Sequence, residues 1–189
     1  FRPECYYRSS GWRATWKGEG GGVLLNQCPH QLDLLQWLFG MPARVRAFGA
    51  LGKYHDIEVE DEVTAYLEFP DGLTGLFIAS TGEAPGLNRL EIAADRGLLV
   101  LEGDRIRWIR NETDTAEFSA GTDEPFSKPE TTEHLMELPD GKTGDHTLIL
   151  RNFVEAIEGR TLLVAPGSEG LRSVELGNAM LYSMLDQRI

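Results

Sequence analysis

The chain has 189 residues, 41% of them hydrophobic, enough to bury a sizeable core as a single domain over 1–189 with no break in composition. Eighteen basic residues against thirty acidic ones leave a net charge of -12, which argues against nucleic acid or an anionic membrane as partner, since both need a basic surface. No run of about eighteen apolar residues is present to span a membrane, and the two cysteines, Cys5 and Cys28, lack framework spacing and suit a reducing, cytoplasmic compartment.

Aromatic residues crowd the start, at Tyr6-Tyr7 and in the run Trp12-Arg13-Ala14-Thr15-Trp16. A glycine-rich turn at 18–22 follows, then an apolar segment at 23–25 that is too short for a helix and reads as a strand. Pro29 suits the first turn of the next helix, where a missing N–H costs nothing. In that helix Leu32, Leu35 and Phe39 form the apolar stripe, while His30, Asp33 and Trp37 share a neighbouring face. Gly40 ends it, with Pro42 just beyond. Strands are predicted over 44–53, 60–69, 73–81, 89–94, 98–101 and 105–110 as a long antiparallel meander, with Pro70-Asp71-Gly72 as one of its turns. Val63, Ala65, Leu67 and Phe69 alternate with Thr64, Tyr66 and Glu68, so one face of that strand belongs to the core. Residues 113–133 are charged and proline-containing and read as an irregular excursion. Two amphipathic helices close the chain, at about 145–157 and 169–185.

Chemistry concentrates between Gly18 and Gly40. His30 falls in the first helical turn, with Asn26 four residues earlier, so a ring that exchanges a proton near neutral pH stands beside an amide able to orient a hydroxyl. The plain alternative is a histidine hydrogen-bonded between strand and helix. Cys28 offers a rival: a thiol at a helix N-terminus near an imidazole is a candidate nucleophile for a free-standing hydrolase. Glu58, Glu60 and Glu62 would line one strand face, either as a row for a divalent cation or as a solvated edge that discourages wrong pairing. His30, His55, His134 and His146 show neither an i, i+4 pair nor a cysteine partner, so no metal site is predicted. The glycine run lacks the third glycine of a dinucleotide fingerprint, because Val23 stands there, and it reads as a turn.

The order Gly20 to Gly22, Val23 to Leu25, Asn26, His30, Asp33 and Trp37-Leu38-Phe39-Gly40 resembles the C-terminal domain of the Gfo/Idh/MocA oxidoreductases, the family of glucose-fructose oxidoreductase and inositol dehydrogenase. The likeness extends to Tyr6-Tyr7, to Trp12 through Trp16, to Glu60-Asp61-Glu62-Val63-Thr64-Ala65, to Asn152-Phe153-Val154-Glu155-Ala156-Ile157 and to Ala165 through Gly170. It implies an α+β fold: a large, mainly antiparallel sheet flanked by helices on one face, similar to dihydrodipicolinate reductase. It also implies an NAD- or NADP-dependent dehydrogenase acting on a sugar, polyol or related hydroxy compound. In that picture His30 is the catalytic proton acceptor, and Asn26, Trp12 and Arg13 bind substrate. The cofactor and the Glu-Lys-Pro lysine belong to a Rossmann domain N-terminal to this chain, so no cofactor is expected on these residues and the fragment alone is expected to be inactive. Many relatives carry Asp where Asn26 stands, which also allows a non-catalytic sugar-binding or assembly module. The family further implies a homo-oligomer through the sheet face, with Tyr66, Phe77, Ile78, Trp108 and Ile109 supplying apolar area.

Overall fold

A computed structural model describes residues 1–137 and 146–186. They form two compact units, Phe1–Gly86 with Ile149–Ile189, and Leu87–Leu148.

The alternation at 63–69 organises the first unit. Val63, Ala65, Leu67 and Phe69 are buried, while Thr64 and Tyr66 face outward. They belong to or directly follow the middle strand of an antiparallel sheet, ordered β1 (Arg44–Leu51), β2 (Glu60–Glu68), β3 (Thr74–Ser80). Ala47 lies opposite Ala65, and Ala65 opposite Phe77, so a buried row crosses all three strands. At the β2–β3 turn Phe69 and Leu73 are bridged by a 2.9 Å backbone hydrogen bond, and Gly72 adopts φ +90°, open to glycine without steric cost.

The first helix, α1 (Glu4–Tyr7), is a single turn; α2 (Pro29–Phe39) carries Pro29 at its first position and ends at Gly40 with φ +77°. The last helix, α5 (Gly167–Leu185), buries Leu176, Met180, Leu181 and Met184 against β1 and α2. It comes close because Gly177 leaves room: a Cβ there would stand 2.9 Å from Leu25 and 3.2 Å from Leu32. Ser183 Oγ accepts the Ala47 N–H at 3.0 Å, tying helix to strand by a polar bond as well. In α4 (His146–Ile157), Asn152 clasps the loop that follows, donating to the Leu162 carbonyl and accepting the Val164 N–H, both at 2.9 Å. That gives the Asn152 motif a structural role.

The second unit is a four-stranded antiparallel meander, β4 (Arg89–Ala94), β5 (Gly97–Glu102), β6 (Arg105–Asn111) and β7 (Thr131–Glu137). Two expectations change here. Residues 113–133 contain the short helix α3 (Thr115–Gly121), anchored by Asp95, which accepts the N–H of Thr115 at 3.0 Å and of Ala116 at 2.9 Å. They also contain the start of β7, which pairs with β6 and so covers an otherwise open edge. The fold is α+β with antiparallel pairing throughout, as predicted, but its strands are divided between two ladders. Among the described residues no helix is long and apolar enough to cross a membrane.

Candidate active site

The segment predicted as a strand at 23–25 is helical instead, a π-helical turn over Val23–Gln27 closed by the Cys28 N–H on the Val23 carbonyl at 2.9 Å. Its cause is Glu60. This carboxylate is fully buried and accepts the Gly22 N–H with both oxygens at 2.8 Å and the Leu24 N–H at 3.0 Å, so the backbone donors that a strand partner would use are occupied by a side chain. Gly22 is required at this contact, because a Cβ would fall 2.1 Å from the Glu60 carbonyl oxygen. Burial raises the Glu60 pKa above the usual carboxylate value, with the Gly22 and Leu24 hydrogen bonds opposing the shift.

The acidic stretch is thus split: Asp56 and Glu58 are exposed, whereas Glu60 and Asp61 are buried and committed to backbone N–H groups rather than to a solvated edge. Asp61, also fully buried, accepts the N–H groups of Lys53, Tyr54 and His55 and faces His55 Nδ1 at 3.1 Å. Glu62 bonds Lys53 and Tyr54, which hold its carboxyl below the ordinary value. Among the described residues no three His, Cys, Asp or Glu side chains come together as a metal-ligand set.

The π turn presents Asn26 and Gln27 to Tyr6 on α1. The Tyr6 hydroxyl donates to Asn26 Oδ1 at 3.2 Å and accepts from Gln27 Nε2 at 3.0 Å and from Arg13 Nη1 at 2.7 Å. Gln27 Nε2 also donates to Asn26 Oδ1 at 2.5 Å, and Asn26 Nδ2 donates to Glu19, whose other oxygen accepts the Ala14 N–H at 2.6 Å. Asn26 is thus fixed at both ends: its oxygen already accepts two bonds, leaving one Nδ2 hydrogen for a ligand. Arg13 lies over the rings of Tyr6 and Trp12, at 4.5 and 4.6 Å from their centroids. Ala14, buried at φ +55°, turns the chain beside it.

His30, the second residue of α2, is exposed, and among the described residues it has no hydrogen bond or ion pair. The reading in which it ties two elements together by a hydrogen bond does not hold. Asp33 lies on the same exposed helix face and accepts Gln36 Nε2 at 3.0 Å. Cys28 does not suit the hydrolase reading: burial and the Glu60 carboxylate push its thiol up to about 11, where the thiolate is scarce at neutral pH. Trp12 and Trp16 are 47% and 37% exposed and available to stack on a ligand. The structure brings Asn26, Arg13 and Trp12 into one cluster through Tyr6. Of its members, the hub role of Tyr6 and the carboxylate of Glu19 were missed, since loop residues without periodicity carry no sequence signal of their contacts.

The Gly20–Gly22 turn does not fit a dinucleotide pyrophosphate, because the Gly22 and Leu24 N–H groups point at Glu60.

The chain is similar over its whole length to two solved dehydrogenases. One is WlbA from Chromobacterium violaceum in complex with NADH and UDP-GlcNAcA, at 26% identity and a TM-score of 0.67, covering 99% of this chain and 50% of that one. The other is WlbA from Bordetella pertussis with the same ligands, at 25% identity and a TM-score of 0.65, covering 98% and 49%. An NAD binding oxidoreductase from Klebsiella pneumoniae shares the fold at 18% identity and a TM-score of 0.70, covering 95% and 53%. The chain spans about half the length of these structures. No curated protein matches it. The GFO/IDH/MocA C-terminal domain model matches residues 1–100, and on that match the chain belongs to the GFO/IDH/MocA family of oxidoreductases.

Proposed function

We propose that the chain is the substrate-binding and oligomerisation half of an NAD- or NADP-dependent dehydrogenase acting on a sugar, polyol or related hydroxy compound, with the cofactor held outside these residues. The observation that carries this reading is His30, exposed and without a partner among the described residues, at the head of the helix that follows the fixed Asn26. Both WlbA structures hold NADH and a sugar nucleotide, which supports the substrate class.

The share of the reaction assigned to this chain is the proton and the position of the substrate. His30 takes the proton from the reacting hydroxyl, or returns it in the reverse direction. Asn26 donates its remaining Nδ2 hydrogen to the same oxygen, in an orientation set by Tyr6, Gln27 and Glu19. Trp12 and Arg13 form a wall for the sugar. Copies of the chain pair through the outward face of the first sheet, where Phe48, Tyr66, Leu76 and Ile78 are exposed. Phe77, predicted for that face, is buried on the other. Cys5 and Cys28 are both free thiols, in keeping with a cytoplasmic setting.

The test is turnover by the full-length protein, followed through nicotinamide absorbance over a panel of sugars and polyols with NAD and NADP. Oxidation of at least one of them, abolished by His30→Ala, is expected. A full-length protein that binds sugar but turns over none would favour the non-catalytic module.

A further inference from the structure

Two arginines converge on Tyr6. The Arg13 guanidinium carbon lies 4.5 Å from the ring centroid and that of Arg2 lies 5.2 Å from it. In a chain with thirty acidic residues against eighteen basic ones, neither has a carboxylate within ion-pair distance among the described residues. The acids nearest in sequence are directed elsewhere: Glu4 accepts the Asp56 N–H and pairs with Arg8, and Glu19 holds the Ala14 N–H and Asn26. The Nε atoms of both arginines are buried without a partner. Arg13 donates only through Nη1, to Tyr6, and Arg2 only through Nη1, to the Phe1 carbonyl, so the Nη2 group of each is uncommitted.

Both are held in place by the fold. The Arg2 N–H donates to the Thr81 carbonyl at 3.0 Å, and its carbonyl lies 2.8 Å from Nε2 of the buried His55, which Asp61 holds from its other nitrogen. Arg13 is clamped between two rings and bonded to Tyr6. A positioned guanidinium with free nitrogens and, among the described residues, no acid beside it can receive negative charge, because a planar fork meets a carboxylate or phosphate with two parallel hydrogen bonds, and here two such groups stand against one tyrosine ring.

We propose that Arg2 and Arg13, arranged about Tyr6, bind an anionic group on the substrate, a carboxylate or a phosphate carried by the sugar. This rests on the sugar-site reading above and narrows it to acidic or phosphorylated sugars.

The experiment is calorimetric titration of the full-length protein with glucose, glucuronate and glucose 1-phosphate, repeated with Arg13→Gln, Arg13→Lys and Arg2→Gln. A charge-assisted hydrogen bond contributes enough for roughly a tenfold to hundredfold preference, so at least one charged sugar binds that much more tightly than glucose. Arg13→Gln and Arg2→Gln each bring the ratio of charged-sugar to glucose affinity down toward one, whatever the change in glucose affinity itself; Arg13→Lys keeps part of the preference, since charge remains but the fork is lost. Tighter glucuronate binding assigns the group as a carboxylate, and tighter glucose 1-phosphate binding as a phosphate. Equal affinity for all three, or a preference that survives substitution of both arginines, overturns the anion site and leaves the sugar site standing. No binding of any of the three by protein with a normal melting transition overturns both. Should Arg13→Gln fail to fold, Arg13→Lys and Arg2→Gln carry the same comparison.

Discussion

Glu60 accepts the Gly22 N–H with both carboxylate oxygens at 2.8 Å, deep in the first unit and, among the described residues, without a salt-bridge partner. This contact holds the entry to the π turn that delivers Asn26, and it makes the turn sensitive to protonation. The folded pKa of Glu60 is raised, so the folded state binds its proton more tightly than the unfolded chain does. Stability contributed by this group is therefore largest at acid pH and falls as pH rises from the ordinary carboxylate value through the raised one. Glu60→Gln removes that slope but turns an amide N–H₂ toward N–H donors, leaving at least one donor unpaired, at a cost of about 1–3 kcal/mol at pH 7. Urea titrations of both proteins across pH check this. A wild type and variant with parallel pH dependence would show that Glu60 does not titrate in this range.

His30 is the next test. Its exposure and its lack of a partner among the described residues mean that His30→Ala should leave the melting temperature nearly unchanged, since surface substitutions stay within about 0.5 kcal/mol. As proton acceptor, however, its loss should lower turnover of the full-length enzyme by roughly a hundredfold to ten-thousandfold. Melting curves and steady-state rates on one preparation separate the two. Normal turnover per folded molecule would remove His30 from the mechanism.

Much of the architecture was legible because it depends on periodicity and punctuation. The 63–69 alternation, the Pro29 start, the Gly40 end and the 89–94 strand all appear where short-range pattern places them. Residues 23–25 did not, because their conformation depends on Glu60, which lies more than thirty positions away and whose side chain substitutes for a strand partner. Asp61 hid for the same reason: in sequence it is one acid among five, and in space it organises the loop at 53–55. The candidate site was proposed from residue types at a helix entry. Its wiring through Tyr6 was not, since that depends on two loops with no periodicity meeting in space.

The two thiols should differ sharply in reactivity. Cys5 is exposed, whereas Cys28 is half-buried with its thiol pushed up to about 11 by burial and by Glu60. At pH 8 a thiol of that acidity is ionised in roughly one molecule in a thousand. Mass spectrometry after brief iodoacetamide treatment should find Cys5 modified and Cys28 intact, with Cys28 reacting only on unfolding or at strongly alkaline pH. Prompt alkylation of Cys28 at pH 8 would return the nucleophile reading to consideration.

The assembly proposed above rests on the outward face of the first sheet. There Phe48 and Ile78 both lie opposite Thr64, and Leu76 opposite Tyr66, so four apolar side chains lie side by side on adjacent strands. Phe48, Leu76 and Ile78 are more than 60% exposed, an unusual concentration on a sheet face whose other side is core. Pairing this face with that of a second copy removes the patch from water at about 25 cal/mol per Å², and two-fold symmetry lets one patch serve both partners. Light scattering of the full-length protein at tens of micromolar should report a dimer or larger species. The double substitution Leu76→Lys and Ile78→Lys should give monomer, with little change in the fold, because both side chains already face solvent within one copy. The same variant also separates assembly from chemistry: retained turnover in the monomer would show that each copy holds a complete site. A wild-type protein that runs as a monomer, or an oligomer indifferent to both lysines, would place the interface elsewhere.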